Sequence, residues 1–568
     1  MIMAKKTRIS RKAAEKITTS STAEYFSKNL QQVGFSSQTK AVLTTLKEAV
    51  DNALDACEES DILPEISITV EKKGSGSMKN SDQILIRVED NGPGIDAADI
   101  PKVFGEYLAS SKFGRGRCSR GQQGIGISAA TSWAQITSAN GAKVISKTKS
   151  MRKALFCLVE VDFKHNKGVL KNKQMKEWDR PHGTSVEFCL DGRIQLNGEA
   201  GILSYINGNV LVNPHLTLHY QLPDQKKQTV VRVSKEVPQI PNATDPHPHT
   251  MKLGEFIAHS HLFGKVKAGM WLKKGFSRIT DLTLKDLTKQ KGVTKALIGK
   301  SVDSVTDADF KSIFVGIQNL PLRPPSTNSV LSIGEQGLAK SIQRVGEIDF
   351  FSVMTRRPAI CDFKPVQVEV AVARLTQRVT GESDSPVQVL RFANRVPLQF
   401  DKASCAIVQA ITSVNWKSYG LSQPKKSLPT GPYIVAVSVV SPFIKFKNAS
   451  KETIDASDEL VEEIRRALMQ AGQRLSRHLK RENKANELEE KIKHIEQFCP
   501  ILVEGLCRIT NAPEKRKRNA EHGLLKLLGK DTHATKEELK KAHDRLEEHL
   551  EQEKLKHGSD DGEESTSV

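Results

Sequence analysis

Three glycines at G-x-x-G-x-G spacing, Gly121, Gly124 and Gly126 in "RGQQGIGISAA", could hold backbone amides close around phosphate. A Walker loop sets a lysine directly after its last glycine to meet the β- and γ-phosphates. Here Ile127 and Ser128 stand in that place, so a triphosphate held at this loop needs its cation from elsewhere. In "AVLTTLKEAVDNALDAC" (41–57) the helical period puts Leu43, Leu46, Val50, Leu54 and Cys57 on one stripe. Glu48 and Asn52 fall together on the opposite side, with Asp51 and Asp55 flanking them. A carboxylate and an amide four residues apart can share a cleft, the first activating water and the second holding a hard cation such as Mg2+. The plain alternative is a solvated acidic face.

Two strands carry further polar groups on apolar faces. In "ILIRVEDNGPGI" the alternation of Ile84, Ile86 and Val88 continues into Asp90, and a carboxylate there needs a donor to offset its burial. The exocyclic amine of adenine would be one. Gly92 and Gly94 allow a sharp turn and close approach to a ligand, although D-N-G-P-G is also ordinary turn chemistry. In "HGTSVEFCL" Thr184 shares parity with Val186, Phe188 and Leu190, which is most simply a structural hydroxyl at the start of a strand.

These groups need helices and strands to position them, and the pattern supplies both. Helices alternate with short strands from Tyr25 to about Leu190, with "EISITVE" (65–71), "ILIRVED" (84–90) and "ALFCLVEVDF" (154–163) as strands. "PNATDPHPHT" (241–250) and "RPPSTNS" (323–329) mark boundaries, with helical pieces between them. Further strands are expected near 366–375, 387–393 and 433–440. A run from Ser457 to about Phe498 reads as one helix of roughly 60 Å. Thr535 and Glu538 resemble a capping box opening another helix, while residues 1–20 read as a basic, flexible arm and the tail "GSDDGEESTSV" as disordered.

Composition narrows the partners. The chain has 568 residues, enough for about three or four domains. Its 85 Lys plus Arg against 66 Asp plus Glu give +19, which favours a polyanion, nucleic acid before membrane, over a merely solvated surface. Eight cysteines without a C-x-x-C pair read as reduced, buried thiols. No apolar leader and no membrane-length apolar run are present, so a cytoplasmic protein is expected. The pairs His247/His249 and His259/His261 could hold a metal, but linker histidines are the simpler reading.

Taken in order between residues 48 and 184, E-x-x-x-N, D-x-G-x-G, G-x-x-G-x-G and G-T resemble the nucleotide-binding fold of the GHKL ATPases: gyrase B, Hsp90 chaperones, histidine kinases and MutL. The resemblance implies that Glu48 polarises the attacking water, Asn52 coordinates Mg2+, Asp90 reads adenine with Thr184 assisting through water, and the glycine loop is a lid. It extends ATP contacts to Gly94, Ser111, Lys112, Gly121, Gln122, Gln123, Gly124, Ile125, Gly126, Ile127 and Ser128. "EYFSKNLQQVGF", "SSKFGRGRCSRGQQGIGISAA", "VLRFANRVPLQFD" (389–401) and "WKSYGLSQPKKSLPTGP" (416–432) narrow the likeness to the B subunits of topoisomerase VI, over about residues 22–480. Ala53 departs from that family's usual Ser, beside the buried stripe, so little effect is expected.

That family resemblance implies an α+β multidomain chain. It comprises a GHKL (Bergerat) α/β sandwich with the basic arm at 1–230, a helix-two-turn-helix insert at 231–310 and a transducer of ribosomal S5-like α/β type at 311–456. A stalk helix at 457–500 and a helical and disordered tail at 501–568 complete it. The γ-phosphate lysine is expected from the transducer, with Lys451 in "SPFIKFKNASKETI" fitting the motif and Lys425 as its rival. The implied activity is ATP-gated dimerisation and strand passage on double-stranded DNA, with cleavage by an A subunit in an A2B2 heterotetramer. Whether the insert binds DNA is left open, as is the role of "EKRKR" (514–518). Alternatives are a MutL-like or chaperone-type clamp and a non-hydrolysing scaffold. A histidine kinase fits least, because the ATP fold starts so near the N-terminus.

Overall fold

The computed structural model describes residues 20–110, 116–121, 123–376, 385–425, 427–448, 450–511 and 513–558. The expected arm, the acidic tail, and Ser111, Lys112 and Gln122 lie outside the described residues. Helices α1 (Thr22–Lys28) and α2 (Gln38–Glu59) open the fold, and Ser37 caps α2 by accepting from the Lys40 N–H. Strands β1 (Glu65–Ser75) and β2 (Asp82–Asp90), then α3 (Ile100–Gly105) and α4 (Gly126–Ser138), follow. Strands β3 (Ala142–Lys147), β4 (Ala154–Asp162), β5 (Lys167–Lys176) and β6 (Gly183–Gly192) come next. Helix α5 (Ile202–Val212) and strands β7 (Thr217–Gln221) and β8 (Gln228–Val230) complete the first unit.

The eight strands form one sheet in the order β5-β4-β3-β6-β2-β1-β7-β8. Pairing of β2 with β6 sets Ile84 opposite Leu190, Ile86 opposite Phe188 and Val88 opposite Val186. All six are buried, so the parity read from the sequence is the parity of the core face. Helices α2 and α4 pack on that face, and Leu43, Leu46, Val50, Leu54 and Cys57 are each at most 1% exposed.

Five short helices, α6 (Leu253–His261), α7 (Ala268–Gly275), α8 (Asp281–Leu287), α9 (Lys295–Gly299) and α10 (Asp307–Gln318), enclose a separate core around Phe256, Trp271, Phe276 and Phe310. Helix α10 runs across the boundary drawn at residue 310, because Phe310, Ile313 and Ile317 complete this core. Three of the four paired histidines, His247, His249 and His259, serve packing, and His261 is exposed. His247 lies between the Arg323 carbonyl, to which Nε2 donates, and the His249 N–H, which Nδ1 accepts, while its ring stacks on Phe363. Burial pushes its pKa down to about 4. His259 accepts from the Trp271 indole at 3.2 Å.

The second sheet follows α11 (Glu335–Ile342). It contains β9 (Ile348–Thr355), β10 (Ala359–Cys361), β11 (Lys364–Leu375), β12 (Gln388–Ala393), β13 (Val396–Pro397) and, after α12 (Ala406–Ser413), β14 (Tyr433–Val440). Its order is β10-β11-β14-β12-β13, with β9 also on β11. Strand β14 is buried at every residue, as its unbroken apolar run requires.

Helix α13 (Asp458–Ile509) starts where expected, with the Ser457 hydroxyl accepting from the Leu460 N–H. It then continues through Pro500, past the expected end at residue 500. An interior proline costs a helix about 3 kcal/mol, and the return helix α14 (Glu514–Gly558) packs back along α13 and reaches α11. Thr535 and Glu538 lie inside α14 instead of opening a helix. Among the described residues no helix is long and apolar enough to cross a membrane.

Candidate active site

Helix α2 is buried nearly all round. Only its Glu48, Asn52, Ala56 and Glu59 side faces a cavity of about 250 Å³. The spacing i, i+4, i+8, i+11 makes this one stripe. The expected acidic flanks do not meet solvent: Asp51 and Asp55 are buried, and so is Glu58 one turn further on. A solvated acidic face is therefore ruled out as the account of this helix.

The glycine loop closes the cavity from the other side. Gly121, Gln123, Gly124, Ile125, Gly126 and Ile127 line it, and Gly126 begins α4. That helix has no side-chain cap at its N-terminus, so its first-turn amides are free to meet an anion. Gly124 has φ +61, and a Cβ there would lie 2.7 Å from the Ala109 carbonyl, so only glycine fits. A Cβ on Gly126 would run into the Glu48 carboxylate. Because that carboxylate ends a flexible side chain, Gly126→Ala should leave the melting temperature nearly unchanged and displace Glu48. ATPase activity should fall about tenfold or more, and wild-type turnover in the variant would show that the contact is immaterial.

Lys451 reaches the same cavity from the loop after β14. Its backbone is left-handed, with φ +54, a conformation that a non-glycine residue keeps only when its surroundings impose it. Here Glu452 pairs with Lys40 of α2 at 3.0 Å, and the Lys451 Nζ donates to the Arg120 carbonyl at 2.8 Å. Lys425 is exposed in a turn and does not line the cavity.

Other expected contacts lie outside that cavity. Asp90 ends β2 and is 7% exposed, and its Oδ1 accepts the Gly92 N–H at 2.8 Å and the Thr184 N–H at 3.1 Å. Burial pushes its pKa up to about 6 against the pull of these two bonds. Its Oδ2 has no protein donor among the described residues, which suits a ligand amine. Thr184 starts β6 beside it. Gly94, at φ +77, is required because a Cβ would strike the Lys147 carbonyl of β3, a structural reason independent of any ligand. Ser128 is 1% exposed, and its hydroxyl donates to the Glu106 carbonyl, so its side chain is not offered to the cavity.

Residues that sequence reasoning missed surround the end of α2. Glu58, Arg120, Arg395, His215 and Asn213 form a buried polar cluster with Asp55. The signal was present: Asp51, Asp55 and Glu58 recur at i, i+4, i+7, a stripe that must find cations if it is buried.

Comparison with known proteins agrees with this division. The model described as "Histidine kinase-, DNA gyrase B-, and HSP90-like ATPase" matches residues 38–192, which carry α2, the glycine loop, β2 and β6. The first sheet with α2 and α4 is thus the GHKL ATPase fold. The model described as "Topoisomerase VI B subunit, transducer" matches residues 325–491, the second sheet and the start of the long helix. The B subunit of type 2 DNA topoisomerase 6 from Archaeoglobus fulgidus is 34% identical over 510 residues, covering 90% of this chain and 82% of that protein. The protein of the same name in Methanococcoides burtonii is 33% identical over 498 residues, covering 88% and 78%. That of Pyrococcus abyssi is 30% identical over 543 residues, covering 87% and 93%. Similarity of this extent, spanning both sheets and the helical insert between them, makes the chain a member of the family of topoisomerase VI B subunits.

Proposed function

We propose that this chain is the ATP-hydrolysing subunit of a type IIB DNA topoisomerase, which couples ATP turnover to passage of one DNA duplex through another. One observation carries the reading: Glu48 and Asn52, the glycine loop and the remote Lys451 all border a single cavity. The uncapped amides of α4 receive phosphate oxygens, and Asp90 Oδ2 accepts the adenine amine, with Thr184 assisting through water. Glu48 takes the proton of the attacking water as general base. Asn52 would hold Mg2+, which when bound offsets the phosphate charge. A lone amide oxygen suits an ion that takes its other ligands from phosphate and water, and the described residues hold no cluster of three acidic, His or Cys groups for a protein-only cage.

Lys451 meets the γ-phosphate. A lysine delivered by the second sheet is in place only when that unit is docked, so ATP favours the docked form over the open one. A lysine fixed beside the glycine loop would bind ATP equally in both forms and shift nothing.

The A subunit, in an A2B2 assembly, is the partner that cuts DNA. The far end of α13 supports this: Phe498, Leu502, Leu506 and Ile509 are each more than half exposed and follow one helical stripe. The cytoplasm is the compartment inferred, from free and mostly buried thiols. Mass measurement tests the gate and the partner together. A non-hydrolysable ATP analogue should double the mass of the isolated chain, and Leu502→Glu should keep that doubling while losing capture of the A subunit. No doubling with the analogue would reject the gate, and undiminished capture by the variant would reject the stripe.

A further inference from the structure

The geometry points to Arg395 as a positioning residue that locks the glycine loop to the transducer through one shared carboxylate, that of Glu58. The inference rests on the ATPase reading above and names residues to which that reading gives no role.

Glu58 stands on the last turn of α2, the helix that carries Glu48 and Asn52. Two guanidinium groups grip it from opposite units. Arg120, directly before the glycine loop, donates from Nη2 to Oε1 at 2.7 Å and from Nη1 to Oε2 at 3.0 Å. Arg395, between β12 and β13, donates from Nη1 to Oε1 at 3.1 Å and from Nη2 to Oε2 at 2.6 Å, across 337 residues of chain. His215 adds a fifth bond to Oε1 at 2.8 Å. Burial alone would push the Glu58 carboxyl up, but Arg120 and Arg395, with the His215 ring, outweigh it and hold the group well below the usual carboxylate range.

Charge makes the arrangement cooperative. Arg120 also donates to Asp55 at 2.8 Å, so two carboxylates and two guanidinium groups balance only when both arginines are present. Side chains of Arg120, Glu58 and Arg395 are at most 4% exposed, so water cannot stand in for a missing partner without the joint opening. Withdrawal of the transducer removes Arg395 and leaves Arg120 facing two carboxylates. The positions of loop and transducer are thereby coupled.

Local construction aims both arginines. The Arg395 turn runs through two consecutive left-handed residues, Asn394 at φ +48 and Arg395 at φ +62. The Asn394 side chain fixes it by accepting the Ser441 N–H and donating to the Ser441 carbonyl, each at 2.9 Å. On the loop side, the Gly121 N–H donates to Asp55, and the Arg120 carbonyl accepts the Lys451 ammonium. The transducer is thus linked to Arg120 twice, once through the shared Glu58 carboxylate and once by direct contact with its backbone.

The test is hydrogen exchange of amides 116–125 in the full chain, with and without a non-hydrolysable ATP analogue, alongside ATPase kinetics and melting. In the wild type the analogue should slow exchange in this segment. Arg395→Gln should keep KM for ATP within about threefold, lower kcat about tenfold or more, and lose the analogue-induced protection. Arg395→Lys keeps the charge but not the fork, and should regain stability without regaining protection. The double variant Glu58→Gln with Arg395→Gln, balanced again by Asp55 and Arg120, should melt above Glu58→Gln alone and still lack protection. Wild-type protection and kcat in Arg395→Gln or, if that variant does not fold, in Arg395→Lys would overturn the proposal while leaving the ATPase reading standing. Absence of protection and of ATP turnover in the wild type itself would overturn both.

Discussion

Glu48→Ala is expected to bind ATP with near wild-type affinity and to hydrolyse it about a thousandfold more slowly, the loss typical of a missing general base. The carboxylate lies against Gly126 at the uncapped start of α4, on the face of α2 that is open to the cavity. Affinity should survive, because the proposed reading assigns phosphate to backbone amides and adenine to Asp90, neither of which the substitution touches. Glu59 lines the same cavity and is the only other acidic side chain among the described residues that does. If Glu59 were the base, Glu48→Ala would keep its turnover and Glu59→Ala would lose it. Single-turnover hydrolysis with radiolabelled ATP separates the two, and a Glu48→Ala rate near wild type would reject the assignment. On the proposed reading, in which hydrolysis resets the clamp, the variant should also stay dimeric after one binding event.

Lys451→Ala should have the larger consequence for DNA. ATP affinity is expected to fall only a few-fold, because one charged contact among many is lost and it is made from the far unit. Supercoil relaxation in the presence of the A subunit should fall about a hundredfold or more, the scale seen when one donor to developing charge is removed. The ammonium has three N–H donors and spends one on the Arg120 carbonyl, leaving the others for phosphate. Lys425→Ala is the control, and relaxation should be unchanged in it. Unchanged relaxation in Lys451→Ala, or its loss in Lys425→Ala, would reverse the assignment.

Much of the first unit was legible in the chain because it obeys simple periods. The apolar stripe of α2 and the parity of Ile84, Ile86, Val88 and Asp90 each follow from one element considered alone, and both appear in the core as read. What could not be read depends on distant partners. Asp55 was read only as a flank of the Glu48–Asn52 side, and Glu58 was not singled out, because their cations, Arg120 and Arg395, lie 62 or more residues away along the chain. Thr535 and Glu538 have the spacing of a helix start, but a local capping signal does not act inside a helix that neighbours extend. The stalk was expected to end at residue 500, yet α13 runs on through Pro500 to Ile509, and α14 packs back along α13. Gly94 was read as a ligand contact, and the structure adds a need for glycine there that the sequence did not show, the approach of β3.

The long helix α13 has a mechanical corollary. Its first two turns are seated in the second sheet through Leu460 and Ile464, and the stretch from residue 458 to 500 spans about 65 Å at 1.5 Å per residue. A tilt of about 5° at the base therefore sweeps the tip through about 6 Å, more than one full helical turn of travel. A small rotation at the seat of α13 is in this way geared up to ångströms of travel at its far end.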